Sequence, residues 1–129
     1  MIVVSDTTPI ISLIKIDCLD LLEKLYKNII VPRAVYDELI VNADYEDEID
    51  IINRCDFLKV QGVEENLSVL LLQKQLNLDK GESEAIVLAN NINADLIVID
   101  ERKARKIAKD IGLNVTGTLG ILVEAKQKG

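Results

Sequence analysis

Five carboxylates carry the chemistry this sequence can offer: Asp6, Glu38, Glu82, Glu84 and Asp100. Asp6 follows at once on the β-branched run Ile2, Val3, Val4 and precedes Thr7, Thr8 and Pro9. Asp100 closes the run from Ala94 to Ile99 in the same way. Each has a structural reading beside the chemical one. Asp6 fits a turn or a helix cap before Pro9, and Asp100 fits the N-cap of the helix that follows it. Together they say more. If their strands are neighbours, the strand ends lie roughly 5 Å apart. Two ionised carboxylates that close repel by about 4 kcal/mol at an effective dielectric near 20. Such a pair needs a cation, or one member must keep a proton.

Glu38, in the stretch Val31 to Leu39, shares a helical face with Ala34, Val35 and Val41. An ionised side chain beside an apolar stripe is unusual unless it is paired. Its neighbour Asp37 has an i,i+4 partner in Arg33, but Glu38 has none in sequence. Asp79 and Glu82 have the spacing of a capping box, which gives Glu82 a structural role. Glu84 lies two residues on, about 200° around the helix, and Glu82 is the alternative ligand because the helix start is not fixed by sequence. There is no His at all, and Cys18 and Cys55 stand alone. That excludes Ser-His-Asp and Cys-His catalysis and the usual His-based zinc and non-haem iron sites. A carboxylate-only set is a hard-oxygen site suited to Mg²⁺ or Mn²⁺, ions that serve phosphoryl chemistry.

The elements that must position these acids alternate along the chain. The first strand is Ile2 to Val4, followed by a helical turn from Ile10 to Ile16 and a helix through Leu19, Leu22 and Leu25 capped by Asp17. Asn28 to Val31 reads as a strand, and Pro32 opens a helix to Val41. Residues 42–47 read as a loop, Ile49 to Ile52 as the start of a helix, and Phe57 to Val60 as an edge strand. Val63 to Leu78 has a helical stripe at Leu67, Leu70, Leu71 and Leu76, with Tyr36, Tyr45 and Ile10 to Ile14 expected mostly in the core. A helix from Asp79 to Asn91, the strand Ala94 to Ile99, a helix with Ala104, Ile107, Ala108 and Ile111 inside, a short strand at 114–116 and a last helix complete the pattern. Gly112 terminates the penultimate helix. Strand–helix alternation predicts an α/β domain with a mostly parallel sheet over 1–129, and ligands of such sheets bind outside the carboxyl ends of the strands.

The 129 residues are 49% hydrophobic, a globular composition for one domain. No basic leader precedes the first apolar run and no run reaches about 18 residues, so neither a secretion signal nor a membrane span is expected. Isolated thiols suit a reducing cytoplasm. The net charge is −7, but residues 101–129 carry seven Lys or Arg against three acids. Arg102, Lys103, Arg105, Lys106 and Lys109 lie opposite the apolar stripe of their helix, either as a solvated face or as phosphate contacts beginning at Asp100. Gly117 to Gly120 offers backbone N–H groups to a phosphate, or a plain N-cap at Thr118. Aromatics are 3%, which leaves no base-stacking platform. The stretch Leu67 to Gln73 is apolar on more than one face, a mark of partner contact.

These residues fall in an order that resembles PIN domains, and more narrowly the prokaryotic PIN-like group of nucleic-acid-binding proteins related to toxins. The matching pieces are Asp6-Thr7-Thr8, Val31-Pro32 with Glu38-Leu39, Gly81-Glu82 with Glu84-Ala85-Ile86, Ala94-Asp95-Leu96 with Asp100-Glu101, and Lys106 to Leu122. The resemblance spans nearly the whole chain. It implies a Rossmann-like α/β/α sandwich with a central parallel sheet of four to five strands. It implies a Mg²⁺- or Mn²⁺-dependent ribonuclease with Asp6, Glu38, Glu84 and Asp100 as the acids, and Thr7 as the hydroxyl that orders metal or water. In-line attack of an activated water on a phosphodiester is the implied reaction, with Asp6 and Asp100 on the principal ion. RNA as ligand, a small antitoxin as partner and a homodimer are also implied. The chain departs from the toxin-type pattern in having Glu84 for an Asp, Val98 and Ile99 where a Thr often stands, and Glu82 as a spare acid. The alternative is a PIN-like nucleic-acid-binding protein with little or no nuclease activity. A haloacid-dehalogenase-type phosphatase would need an acid at Thr8, and a dinucleotide-binding protein a glycine fingerprint after the first strand, and neither is present.

Overall fold

The computed structural model of the chain describes residues 1–43, 46–64 and 67–129. The five expected strands form, β1 (Val3–Ser5), β2 (Ile29–Pro32), β3 (Leu58–Gln61), β4 (Leu96–Val98) and β5 (Val115–Thr116). They make one sheet in the order β3-β2-β1-β4-β5. Every pairing is parallel. Around it, among the described residues, lie α1 (Thr7–Lys15), α2 (Asp20–Tyr26), α3 (Arg33–Val41), α4 (Glu46–Arg54), α5 (Leu67–Gln75), α6 (Lys80–Asn91), α7 (Arg102–Asp110) and α8 (Thr118–Lys128).

Alternation along the strands builds two cores. Val3, Ile29, Val31 and Val98 face a layer from α1, α2, α3 and α8, with Ile10, Leu13, Leu22, Leu39 and Ile121 fully buried. Val4, Ile97 and Ile99 face the other layer, where α6 and α7 bring Ala85, Ile86, Ala89, Ala104 and Ala108. The small alanines let α6 and α7 approach the sheet closely. The expected α/β/α sandwich is therefore what the chain forms, with all five strands parallel.

Local differences from the sequence reading have local causes. The first helix starts at Thr7, three residues early, because Pro9 lies in the first turn, where its missing N–H is no loss. Asp17 does not cap α2. It takes the left-handed conformation (φ 57°) past the end of α1, and Leu19 holds the cap position. α4 begins at Glu46, inside the expected loop, where three acidic residues suit a helix N-terminus. The helix expected over 63–78 covers only Leu67–Gln75. Its stripe points outward: Leu67, Leu70, Leu71 and Leu76 are exposed and Val69 is buried instead. Ile111 is exposed at the end of α7 rather than on its inner face. Gly112 ends that helix at φ 93°, as expected. The core placement expected for Tyr45 lies outside the described residues. Arg33 lies over the Tyr36 ring, 5.9 Å from its centroid, and among the described residues no ion pair joins it to Asp37.

Ile97 is fully buried at the centre of the sheet. Replacing it with Ala should destabilise the fold by about 2–5 kcal/mol, read as a lowered urea midpoint with an unchanged slope.

Candidate acidic site

In a parallel sheet the carboxyl ends of the strands share one edge, and each helix that follows a strand begins there. Asp6 ends β1, and its N–H donates to Val98 O at 2.9 Å, locking it to β4. It holds the N-cap position of α1 (φ −80°, ψ 175°) without a side-chain cap bond, and it is 4% exposed. The next residue reaches across to α3: Thr7 Oγ1 donates to Glu38 Oε2 at 3.0 Å. The start of α6 packs against the same carboxylate through Gly81. A Cβ at residue 81 would collide with the Glu38 carboxylate, so glycine leaves that side chain its present position.

α6 begins with the capping box that the spacing predicted. Glu82 N donates to Asp79 Oδ1 at 2.7 Å, and Asp79 N donates to Glu82 Oε1 at 3.0 Å. Glu84 is buried, and its Oε1 accepts from Ala34 N at 3.2 Å. It thus caps α3, whose own cap position is Pro32 and has no polar side chain to give.

β1 and β4 are neighbours, as the pairing of Asp6 with Asp100 required. Asp100 is nevertheless not among the charges that act on Asp6. Asp100 does not cap the helix after it; Glu101 does, accepting from Lys103 N at 3.0 Å and Ala104 N at 2.7 Å. Asp100 turns toward β5 and takes the start of α8, with Thr118 N donating to Oδ1 at 2.7 Å and Thr118 Oγ1 to Oδ2 at 2.6 Å. Neither sequence reading of the Gly117 to Gly120 turn describes this. Thr118 is not the cap, since Gly117 holds that position, and the Thr118 N–H is filled by a carboxylate rather than open to a phosphate.

The carboxylates that act on Asp6 are instead Asp79, Glu82 and Glu38. Burial, foremost, and these three charges push Asp6 up to about 7, with the Thr7 N–H opposing them. Burial likewise raises Glu38, whose shift the Thr7 hydroxyl opposes and Asp79 and Glu84 increase. Glu82 is raised by burial and by Asp79, Glu101 and Glu38, against the Asp79 N–H. Asp79 is the member that sequence reasoning left out. Its capping-box spacing with Glu82 was the available signal, read there only as a cap. The donors are all oxygen and the site has excess negative charge, which fits a hard divalent cation in type. Among the described residues no three His, Cys, Asp or Glu side chains are already gathered at ion-binding distances.

Beside this edge runs α7. Arg102, Lys103 and Lys106 are exposed, and Lys106 pairs with Asp110 at 3.0 Å. Arg105 differs from them. It is half-buried, with Nη1 3.4 Å from Ile99 O. Its Nη1 lies within about 5 Å of Asp100 Oδ1, since both flank the position a Cβ would take at Gly117. Near Glu38 a depression of about 300 Å³ is lined by Ala34, Asp37, Val41, Asn42 and Lys80.

A family model described as PIN domain matches residues 2–129. Among solved structures, a PilT N-terminus domain protein, SSO1118, from the hyperthermophilic archaeon Sulfolobus solfataricus P2 superposes with a TM-score of 0.69 at 20% identity, covering 97% of this chain and 93% of that one. PAE2754 from Pyrobaculum aerophilum gives a TM-score of 0.69 at 12% identity, covering 98% and 90%. No curated protein matches the chain. At these identities the structures share the fold.

Asp6 sets a pH dependence. Its folded pKa of about 7 lies above the ordinary aspartate value of 3.8, so between these values the folded chain holds a proton that the unfolded chain releases. Stability from this group is therefore lost as pH rises through that window, by on the order of 4 kcal/mol in full. Asp6→Asn should be more stable than wild type at about pH 8, and this advantage should shrink toward about pH 4. Equal differences in melting temperature at both pH values would contradict the burial of an uncompensated charge.

Proposed function

We propose, from the premise that this chain belongs to the PIN domain family, whose members are generally nucleases, that it is a Mg²⁺- or Mn²⁺-dependent endoribonuclease. The observation that carries the reading is Asp6: a buried carboxylate at the carboxyl edge of the sheet, surrounded by Glu38, Asp79 and Glu82, its pKa pushed to about 7. A site so overcharged favours a divalent cation, and PIN domains typically use one. Asp6, Glu38, Glu84 and Asp100 would hold it, with Glu82 as the alternative to Glu84. When bound, the ion supplies Lewis-acid activation of a water and neutralises charge on the phosphate.

The protein's own groups then have distinct tasks. Thr7 orients Glu38 through the 3.0 Å hydrogen bond. Arg102, Lys103, Arg105 and Lys106 contact backbone phosphates along α7, which starts beside Asp100. These are charge contacts that position the strand without reading its sequence. Asp6 is the principal ligand, since ionising it is costly without a cation and favourable with one.

A second reading, a PIN-like nucleic-acid-binding protein with little or no cleavage, is favoured by one set of contacts. Glu82, Glu84 and Asp100 all accept hydrogen bonds from helix N-termini. Carboxylates so engaged are less available to an ion. The role as toxin of a toxin–antitoxin pair, with a small antitoxin and a homodimer, draws support from the exposed Leu67, Leu70 and Leu71 on α5. No helix among the described residues is long and apolar enough to cross a membrane, and a cytoplasmic location fits the two free cysteines.

Cleavage of single-stranded RNA with Mn²⁺ by wild type and Asp6→Asn decides between the two readings. Loss of about 100-fold or more in the variant, with no activity on either protein in excess chelator, supports the enzyme. Equal cleavage by both proteins points to a contaminant and contradicts it.

A further inference from the structure

The contacts of Asp100 assign a role to the start of α8. Asp100 leaves β4 at the acidic edge, yet its orientation is set by the next strand–helix unit. Both carboxylate oxygens accept from Thr118, one from the N–H at 2.7 Å and one from the hydroxyl at 2.6 Å. This two-point grip fixes the plane of the carboxylate. Gly117 is packed against the same group. A Cβ there would lie 2.5 Å from Asp100 Oδ1, 2.6 Å from Arg105 Nη1 and 3.3 Å from Ile99 O. Its φ of −135° is open to any residue, so the restriction is one of space. The half-buried Arg105 guanidinium closes the corner from α7. α8 itself is anchored, with Ile121 fully buried and Tyr26 Oη donating to Glu124 Oε2 at 2.7 Å.

We propose that Thr118 is a positioning residue for Asp100, holding its carboxylate at the sheet edge in the orientation that serves cation binding. This rests on the reading of Asp100 as a member of the metal-binding set. Each carboxylate oxygen has a second lone-pair direction after accepting one hydrogen bond, so the grip leaves acceptor capacity while removing rotation. Hydroxyl and amide partners behind a ligand commonly tune it in this way. The geometry also accounts for two neighbouring residue types: glycine at 117 leaves room for the carboxylate, and Arg105 supplies a nearby positive charge.

The test uses the full chain, with Mn²⁺ alone as the calorimetric probe and RNA cleavage as a second readout. Thr118→Val keeps the shape and the N–H and removes the hydroxyl. It should weaken Mn²⁺ binding by about 10- to 100-fold and lower kcat to a similar extent, with KM for RNA changed by no more than about twofold. Thr118→Ser should restore both. Gly117→Ala, which leaves Thr118 intact but crowds Asp100 Oδ1, should move Mn²⁺ affinity in the same direction, and it serves if the valine variant does not fold. Wild-type Mn²⁺ affinity in folded Thr118→Val or Gly117→Ala, with affinity lost in Asp100→Asn, overturns the positioning role and leaves Asp100 in the site. Wild-type affinity in Asp100→Asn overturns the reading of Asp100 and the proposal with it. A fall in melting temperature alone, with Mn²⁺ affinity unchanged, identifies a merely structural bond and also overturns it.

Discussion

The structure depends on the meeting of helix N-termini with carboxylates at one edge of a parallel sheet. Parallel strands require crossover helices, and those helices begin at the edge where the strands end. Their unpaired N–H groups must be satisfied. Here acids do it: Asp79 and Glu82 at α6, Glu84 at α3, Glu101 at α7 and Asp100 at α8. Each such cap stabilises its helix by about 1 kcal/mol, and the positive end of the helix dipole offsets the carboxylate charge. The hydrogen bonds that shape the acidic edge thus come from backbone amides and, at Asp100, from the Thr118 hydroxyl as well. Asp6 is the exception. It sits at the cap position of α1 but makes no side-chain cap bond, and burial leaves its charge poorly compensated. The capped acids give the edge its shape, and Asp6 gives it its demand for positive charge.

The other charged face is organised by the same topology. α7 leaves β4 right after Asp100 and Glu101, so its basic side chains begin where the acids end. Arg105 turns inward to the Ile99 carbonyl while Arg102, Lys103 and Lys106 stay in solvent. An acidic chain of net charge −7 has no general attraction for a polyanion. The short basic helix beside the acidic cluster is the local exception to that charge.

Much of this was legible in the sequence because it rests on local chemistry. The apolar runs ending in Asp6 and Asp100 marked two strands, whose adjacency only the fold supplied, and Asp79 with Glu82 announced a capping box. What stayed hidden was longer-range. Asp100 reads as a cap for the helix next to it, because a sequence shows neighbours and Thr118 is eighteen residues away. Glu84 looks free until α3 is seen to need a cap that Pro32 cannot provide. The leucines of α5 are periodic enough to read as a core stripe, yet the buried position is Val69. Periodicity gives the helix but not which of its faces is buried. Asp17 looked like a cap for α2, but the end of α1 needed a left-handed residue and took it.

The central claim is that the overcharged corner around Asp6 is where a divalent cation binds. Paramagnetic broadening of backbone amide signals by Mn²⁺ tests it most directly, since it reports position without requiring catalysis. At low Mn²⁺ the signals of Thr7, Glu38, Gly81 and Glu82 should broaden first, and Asp6→Asn should abolish that selectivity. Broadening that begins at the exposed acids of α4, Glu46 and Asp47, and spares Thr7 and Gly81 would contradict the claim.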